Sequence, residues 1–423
     1  MRTIAICGAL FLLSSVRAQA PDSTSILTET DGLPAMPRDP ATRPRHLLSI
    51  EAGGAYDLST VYNDLVLGLL RGDVLGQPVR QRSQDALDPS SNRAGYAIDG
   101  AISYTWGDSL SGIGGWRPRI TVAHHDVMGL RFTRDAYDLT FFGNAAYEDR
   151  VAQLAPSAFT LMRYQTIGFG VEHARSGSWL TLELVNGSSL NTGDIDRADL
   201  FTAVDGRYLD LDINGRYRGS DPAGNGYLRQ NGLGAAVSGQ WNFFPRLFGH
   251  RSVLGVRLDD AGFVTWNSNA QRVDKDSVVH YTGIRVEDVI DLGGTLIGSS
   301  RLQDSLGFGY THGSFLRPLP ARLSAHLRIF SRNLRWHYDL SADQRYLPGY
   351  VPHGTIGLTR RFGKTAVSVE GGYGGFGGLR MGAGLQTVIA RHCLFTLRSS
   401  NVPGTISEQA RGMALFAGLE LRW

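Results

Sequence analysis

The last strand-like segment of the chain constrains the fold more than any other feature. Between 413 and 423 every second position is apolar: Met413, Leu415, Ala417, Leu419, Leu421 and Trp423. Side chains two residues apart lie on the same face of a β-strand. The pattern therefore predicts a strand with one apolar face, which ends on a large aromatic side chain.

An aromatic residue at the end of such a strand fits the interfacial girdle of a membrane β-barrel. The segment resembles the closing strand of bacterial outer-membrane barrels as a class. That resemblance implies that Leu419, Leu421 and Trp423 form a signal for the barrel-assembly machinery. An edge strand of a soluble β-sandwich is the alternative for this segment taken alone.

The first twenty residues have the features of an export signal. Arg2 supplies one positive charge, residues 4–13 form a short apolar core, and Ala18-Gln19-Ala20 is a small-x-small cleavage box. The apolar core is too short for a spanning helix, which needs about 20 residues. We expect cleavage after Ala20 and export of residues 21–423.

The exported chain divides into an extended leader and one long β-region. Residues 21–46 contain five prolines and precede the first alternating segment, so they predict an extended leader. From 47 to 423 the alternation recurs without a break in composition. The whole sequence contains 53 glycines, 16 tyrosines, 18 phenylalanines and 7 tryptophans. Glycine and interfacial aromatics are what a closed barrel requires.

The alternating runs predict a closed, antiparallel transmembrane β-barrel of about 14 strands, within a range of about 12 to 16. The clearest run is 207–218, where Leu209, Leu211 and Ile213 alternate with charged residues. Charged side chains on the alternate face indicate a wet lumen. The lumen-facing candidates are Asp210, Asp212, Asn214, Arg216, Glu183, Arg328, Arg335 and Glu370.

One segment near the start of the barrel has a helical period. Its apolar residues recur about every four positions and form one helical stripe: Val61, Leu65, Val66, Leu69 and Leu70. A helix of about 12 residues cannot cross a membrane. We expect a short amphipathic helix near or in the lumen, which either packs inside the barrel as a plug or lies at the interface; a helix in an ordinary connection is the alternative.

The sequence offers no catalytic or metal-binding motif. His124 and His125 precede Asp126, but neighbouring strand residues face opposite sides and cannot share one metal or substrate. Asp210 and Asp212 share a face and could hold a cation, although nearby arginines favour a solvated ion-pair ladder. There is no Gly-x-Ser-x-Gly, HExxH or CxxC pattern. We therefore expect no enzyme activity, cofactor or metal.

Charge and cysteine content exclude other classes. The formal net charge is +3, and removal of Arg2 and Arg17 with the signal leaves 40 basic and 39 acidic residues. Without a block of like charge, the sequence gives no support to nucleic-acid binding. Once the signal with Cys7 is removed, Cys393 is alone, so no intramolecular disulfide can form.

Five stretches resemble a family of uncharacterised outer-membrane barrel proteins found mainly in Bacteroidota. They are residues 63–70, 124–135, 142–144, 184–190 and 205–211. The likeness covers about residues 47 to 245 and consists of turn and strand patterns. It implies a porin-like or lipid-transporter-like barrel in the outer membrane of a Gram-negative bacterium, without an assigned substrate.

Three functional hypotheses follow from these expectations. The leading one is a passive or gated conduit for small or amphipathic solutes, with outer-membrane lipids as its surroundings. The second is a non-transporting component of an envelope secretion or surface-attachment assembly, whose protein partner is unknown. The last is a barrel lipid hydrolase. Occupancy of the lumen should discriminate between the first two, because a filled lumen cannot conduct.

Overall fold

The structure is a computed structural model that describes residues 45–107, 110, 114–224, 226–282, 309–390 and 392–423. The predicted export signal (1–20) lies outside the described residues. The same is true of the predicted leader, 21–46, apart from its last two positions.

Fourteen antiparallel strands in the described part of the chain close into a barrel, which confirms the predicted fold class. The wall strands are β1 (His46–Leu58), β2 (Asn92–Trp106), β3 (Trp116–Phe132), β5 (Ser157–His173), β6 (Trp179–Thr202), β8 (Gly232–Phe243), β10 (His250–Trp266), β14 (Arg322–Phe330), β15 (Trp336–Arg345), β16 (Val351–Phe362), β17 (Thr365–Gly375), β18 (Arg380–Ala390), β19 (Cys393–Ser399) and β20 (Met413–Arg422). Each pairs with the next, and β1 pairs with both β2 and β20.

Six further strands of the described residues are not counted among these fourteen: β4 (Arg150–Gln153), β7 (Tyr208–Gly219), β9 (Arg246–Leu247), β11 (Gln271–Thr282), β12 (Thr311–His312) and β13 (Phe315–Pro318). Residues 179–187 of β6 pair with β8, while residues 191–202 of β6 pair with β7. β7 pairs in turn with β11. We call the sheet formed by residues 191–202, β7 and β11 the extension, because β7 and β11 are not wall strands.

The closing strand pairs as the sequence pattern requires. Leu419 lies opposite Ile50, and Leu421 lies opposite Leu48. The backbones of Trp423 and His46 exchange two hydrogen bonds of 2.9 and 3.1 Å. The two rings stack with centroids 5.5 Å apart. The last strand thus completes the ring and places its aromatic residue at the barrel's edge.

The two ends of the barrel differ in the length of their connections. At one end, which we call the short-turn end, residues 174–178 and 363–364 join neighbouring strands. At the other, the long-loop end, the connections include residues 59–91, 133–156 and 400–412. The long loops contain helices α1 (Asn63–Arg71), α2 (Gln77–Asp85), α3 (Arg134–Phe142) and α4 (Val402–Ile406). Among the described helices, none has the length and apolarity needed to cross a membrane.

The predicted amphipathic helix is present as α1, but it lies on the outside of the wall. Leu65 belongs to a buried apolar cluster with Leu58 and Ala94, and Leu130 packs against this cluster. Ala94 and Leu130 are opposite each other in the β2–β3 register and alternate in step with exposed Ile98, so they belong to the outer face. The prediction of a plug inside the lumen is therefore wrong.

The other plug candidates occupy the same outer cluster or its surface. Val61 is buried, Val66 and Leu69 are partly buried, and Leu70 is 76% exposed. The helix takes the outer position because the outward residues of the strand ends are apolar and bind its apolar stripe.

Helices α1, α2 and α3 together form a helical collar around this part of the wall. Tyr137 of α3 is buried in the collar, and its hydroxyl donates to the Arg80 carbonyl oxygen at 2.9 Å. Burial raises the pKa of Tyr137, so the phenol stays protonated and remains a donor.

Candidate functional site

The two faces of the wall have opposite chemistry. In β6, Leu182 and Leu184 are 64% and 62% exposed. The residues that alternate with them, Thr181, Glu183 and Val185, are buried. The same alternation continues around the ring. Exposed outward residues include Ile98, Ile102, Val122, Ile167, Phe169, Leu233, Leu254, Phe263, Leu323, Leu340, Ile356, Val369, Met381, Leu397 and Leu415. A wall that is apolar outside and polar inside is the arrangement of a barrel that meets lipid.

Aromatic residues border this apolar band at the short-turn end. The outward positions there include Tyr104, Trp106, Trp116, Trp241, Phe243, Trp336, Phe362 and Trp423. On β2, Tyr96 lies ten residues from Trp106 toward the long-loop end. At about 3.3 Å per residue and a tilt of about 40°, that separation corresponds to about 25 Å along the barrel axis, the height of a lipid-facing band.

Inside the barrel, side chains from distant strands form a cross-lumen network. His125 Nδ1 lies 2.8 Å from Asp99 Oδ1, and its ring stacks on Tyr164 with centroids 4.7 Å apart. The Tyr164 hydroxyl donates to Asp260 at 2.9 Å. Arg345, from the opposite side of the ring, reaches Asp99 at 3.7 Å. These contacts fill the section of the lumen between β3 and β15.

A second ionic cluster lies nearer the short-turn end. Arg117 and Arg119 donate to the two carboxylate oxygens of Glu172 at 2.8 and 3.0 Å. Arg119 also lies over the Trp179 ring at 4.9 Å, and Arg257 lies over the same ring at 5.5 Å. Because β3 and β10 are not neighbours, this stacking also spans part of the lumen.

The remaining part of the lumen stays open to solvent. Glu51 points inward from β1 and is exposed. Arg398 keeps 37% of its side chain exposed while it pairs with Glu370 at 2.6 Å. Phe416, inward on β20, is 37% exposed. We call the space bordered by Glu51, Glu370, Arg398 and Phe416 the lumen chamber.

At the long-loop end the lumen is closed by apolar side chains. The buried cluster includes Val127, Met162, Val185, Leu190, Val264, Trp266, Leu319, Leu347 and Phe376. Leu347 comes from the β15–β16 turn and Phe376 from the β17–β18 turn, so two turns fold into the mouth. This closure, like the cross-lumen network, involves residues far apart in sequence.

Three of the predicted lumen residues lie on the inner face. Glu183 of β6 is 7% exposed, and Arg328 of β14 is 2% exposed and contacts Asp339 at 2.6 Å. Glu370 borders the lumen chamber. Each occupies the polar side of an alternating strand, which is the property that the sequence pattern reports.

The other lumen candidates require correction. Asp210, Asp212, Asn214 and Arg216 lie on β7 in the extension, outside the ring. Asp212 accepts a 3.0 Å hydrogen bond from Arg197, as expected of a solvated ion-pair ladder.

Arg335 is the fifth candidate that does not line the lumen. It is exposed in the turn that precedes β15. Alternation identifies a two-faced strand but not its neighbours or its exact end, which explains all five errors.

The histidine pair divides between the faces, as the period of two predicts. His125 points inward to Asp99, whereas His124 points outward and contacts Gln165 at 3.1 Å. Among the residues that the structure describes, no group of three or more His, Cys, Asp or Glu side chains is arranged to hold a metal ion.

Sequence reasoning missed the residues that close the lumen. Asp99, Arg345 and Phe376 act through contacts between strands that the local pattern cannot reveal. The run of glycines from 371 to 378 around Phe376 was a usable signal, because glycine in a strand often marks a close approach of other groups.

The comparisons with known proteins report barrels of low similarity. No protein-family model matches the sequence, and no curated protein matches it. Among solved structures, a deletion mutant of the monoaromatic hydrocarbon channel TodX is 9% identical, with 91% of this chain and 93% of that chain covered and a TM-score of 0.45. The Pseudomonas putida toluene transporter TodX is 8% identical, with 89% of each chain covered and a TM-score of 0.36. Pseudomonas putida OprB is 11% identical, with 89% and 93% covered and a TM-score of 0.27. Similarity of this degree carries no substrate across.

Proposed function

We propose that this chain spans the outer membrane of a Gram-negative bacterium and is a gated conduit for small or amphipathic solutes. The observation that carries the proposal is the sidedness of the wall. Its outward band is apolar, while exposed Glu51 and Arg398 face a solvated chamber inside. A closed sheet leaves no unpaired backbone in lipid. The resemblance to a Bacteroidota family stays a prediction.

The orientation follows from the connections. Outer-membrane barrels have short periplasmic turns and longer loops on the cell surface. The short-turn end of this barrel therefore faces the periplasm, and the helical collar lies at the outer surface. In this orientation the lumen chamber is closed on the cell-surface side by Leu347 and Phe376.

The charges of the lumen chamber favour small polar or zwitterionic solutes over purely apolar ones. Glu51 has no arginine or lysine partner among the described side-chain contacts except a longer-range interaction with Arg257. Arg398 is only partly covered by Glu370. A solute with both charges can therefore replace water at this pair of groups.

The test is conductance and solute uptake by the purified mature protein in planar bilayers and liposomes. We expect insertion with brief openings rather than a steady large conductance, because the long-loop end is closed. Swelling assays should show uptake of small charged or zwitterionic solutes. A correctly folded, inserted protein that shows neither openings nor uptake under any condition would contradict the proposal.

The non-transporting alternative is favoured by one observation. The network of Asp99, His125, Tyr164 and Arg345 fills part of the lumen with mutually paired groups. A barrel that only anchors an envelope assembly has no need of a passage. Absence of conductance in variants that lack the apolar side chains at the long-loop end would favour this alternative.

A further inference from the structure

The β17–β18 turn has an unusual composition and position. It consists of residues 376–379, and glycines occupy 374, 375, 377 and 378 around Phe376. Gly374 and Gly375 have φ angles of 105° and 71°. These left-handed conformations favour glycine strongly. The turn can therefore fold into the mouth, where Phe376 is 5% exposed.

Phe376 lies against β2 and β3, which are four and five strands away from β18 around the barrel. A Cβ added at Gly95 on β2 would lie 2.2 Å from its ring, and one added at Gly129 on β3 would lie 3.3 Å away. Gly95 and Gly129 both lie on the inner face. Two strands that are not neighbours of β17 or β18 thus lack side chains where the phenyl ring of Phe376 lies.

The second inward turn supports this position. The Tyr350 ring meets Phe376 edge-on, with centroids 5.1 Å apart. The neighbouring Leu347 packs in the same buried cluster, and its Cβ is 3.0 Å from a Cβ added at Gly129. The two turns cover the mouth together, and Phe376 is the side chain that contacts both β2 and β3.

Polar contacts hold the turn in place. Arg380 forms an ion pair with Asp57 of β1 and donates to the Gly374 carbonyl oxygen at 3.0 Å. Arg93 donates to the Gly377 carbonyl oxygen at 3.4 Å. Gly374 and Arg380 flank the turn and Gly377 lies within it, so all three contacts depend on the position of the turn.

We propose that the β17–β18 turn is the gate of the conduit, with Phe376 as its closing side chain and the Arg380–Asp57 ion pair as its latch. The inference rests on the proposed conduit function and names its regulation. In the open state Phe376 leaves the glycine seat, the Arg380–Asp57 contact breaks, and the lumen chamber joins the outside.

Two substitutions should open the gate by different routes. Phe376→Ala removes the closing ring, and we expect the open probability to rise at least ~tenfold because a buried Phe side chain loses its packing. Gly95→Ala leaves the turn intact but expels the ring, since the added methyl group overlaps its far edge. Gly100→Ala on the same strand is the matched control, because its nearest heavy atom is 3.9 Å away.

A disulfide should close the gate reversibly. A Cβ at Gly377 would lie 3.5 Å from the Asp57 Cβ, within the range of about 3.5 to 4.5 Å that a disulfide requires. The Asp57→Cys, Gly377→Cys, Cys393→Ser variant has lost the Arg380–Asp57 ion pair, so we expect it to open more often than wild type when reduced and to lose its openings when oxidised. Gly377→Cys with Cys393→Ser should not respond to redox conditions.

The outcomes separate the gate from the conduit. Conductance in potassium chloride is recorded for each variant after its folding is checked by heat-dependent gel mobility. Wild type, Phe376→Ala and Gly95→Ala could all show the same conductance, and oxidation of the double-cysteine variant could leave its conductance unchanged. This result would contradict the gate but not the conduit function. If all variants fold and none conducts, both the proposed conduit function and the proposed gate are contradicted.

Discussion

Asn63 shows how one side chain can join the first and last loops of a barrel. Its amide donates to the carbonyl oxygens of Gly404 and Gly412 at 3.2 and 3.1 Å and accepts from the Gly412 backbone at 2.7 Å. The residue is fully buried. All of these partners are backbone groups of the last loop, so removal of the amide takes three hydrogen bonds from a buried region.

We expect Asn63→Ala to lower the free energy of unfolding by about 1–3 kcal/mol, the cost of leaving a buried polar group unpaired. Unfolding in denaturant, followed by gel mobility in detergent, measures the change. Asn269→Ala is the control, because Asn269 makes its side-chain contact at an exposed position. Equal midpoints for the two variants would remove Asn63 from this role.

A second residue-scale prediction compares two leucines. Leu182 is 64% exposed on the lipid side of β6, whereas Leu211 lies on β7 in the extension. Arginine at a mid-membrane lipid-facing position costs about 2–4 kcal/mol. Leu182→Arg should therefore reduce the yield of folded barrel in the membrane far more than Leu211→Arg. Equal tolerance at both sites would argue against the assigned wall.

At the scale of elements, β7 shows what sequence alternation can and cannot predict. Residues 208–219 form a strand with two distinct faces, as the pattern indicates. The partners of that strand depend on where β6 leaves the ring, which is a long-range property. The fold class and the strand number were therefore predictable, while the assignment of Asp210 to the lumen was not.

The position of helix α1 was also not predictable from the sequence, for a different reason. Its apolar stripe predicts burial of Leu65 but not the surface that buries it. That surface turns out to be the outer wall, where Ala94 and Leu130 present apolar side chains. The proposed gate could not be predicted from the sequence either, because Phe376 contacts β2 and β3 only in the closed barrel.

Deletion of residues 60–72 tests the position of α1. The helix does not enter the lumen, so we expect unchanged conductance in every state of the gate. The loss of Leu65 from the collar should lower the unfolding midpoint. Planar-bilayer recordings and denaturant unfolding of the same preparation provide both values. A large rise in conductance would restore the plug hypothesis.

At the scale of the whole molecule, closure of the ring accounts for stability. β1 pairs with β20 through ten consecutive residue pairs, from Leu47–Arg422 to Tyr56–Met413. The wall strands consequently form a sheet without a free edge. We expect the folded barrel to resist SDS at room temperature and to shift in gel mobility only after boiling. Identical mobility before and after boiling would contradict a closed barrel.

The central claim is that the wall separates lipid from an aqueous lumen, and spin-label accessibility along β6 tests it most directly. Single cysteines at positions 180 to 185 in a Cys393→Ser background are labelled in protein reconstituted into vesicles. Labels at Leu180, Leu182 and Leu184 should collide strongly with oxygen dissolved in lipid, and labels at Thr181, Glu183 and Val185 weakly, in a strict period of two. Equal accessibility along the strand, or strong contact of positions 182 and 184 with a water-soluble relaxing agent, would contradict the account.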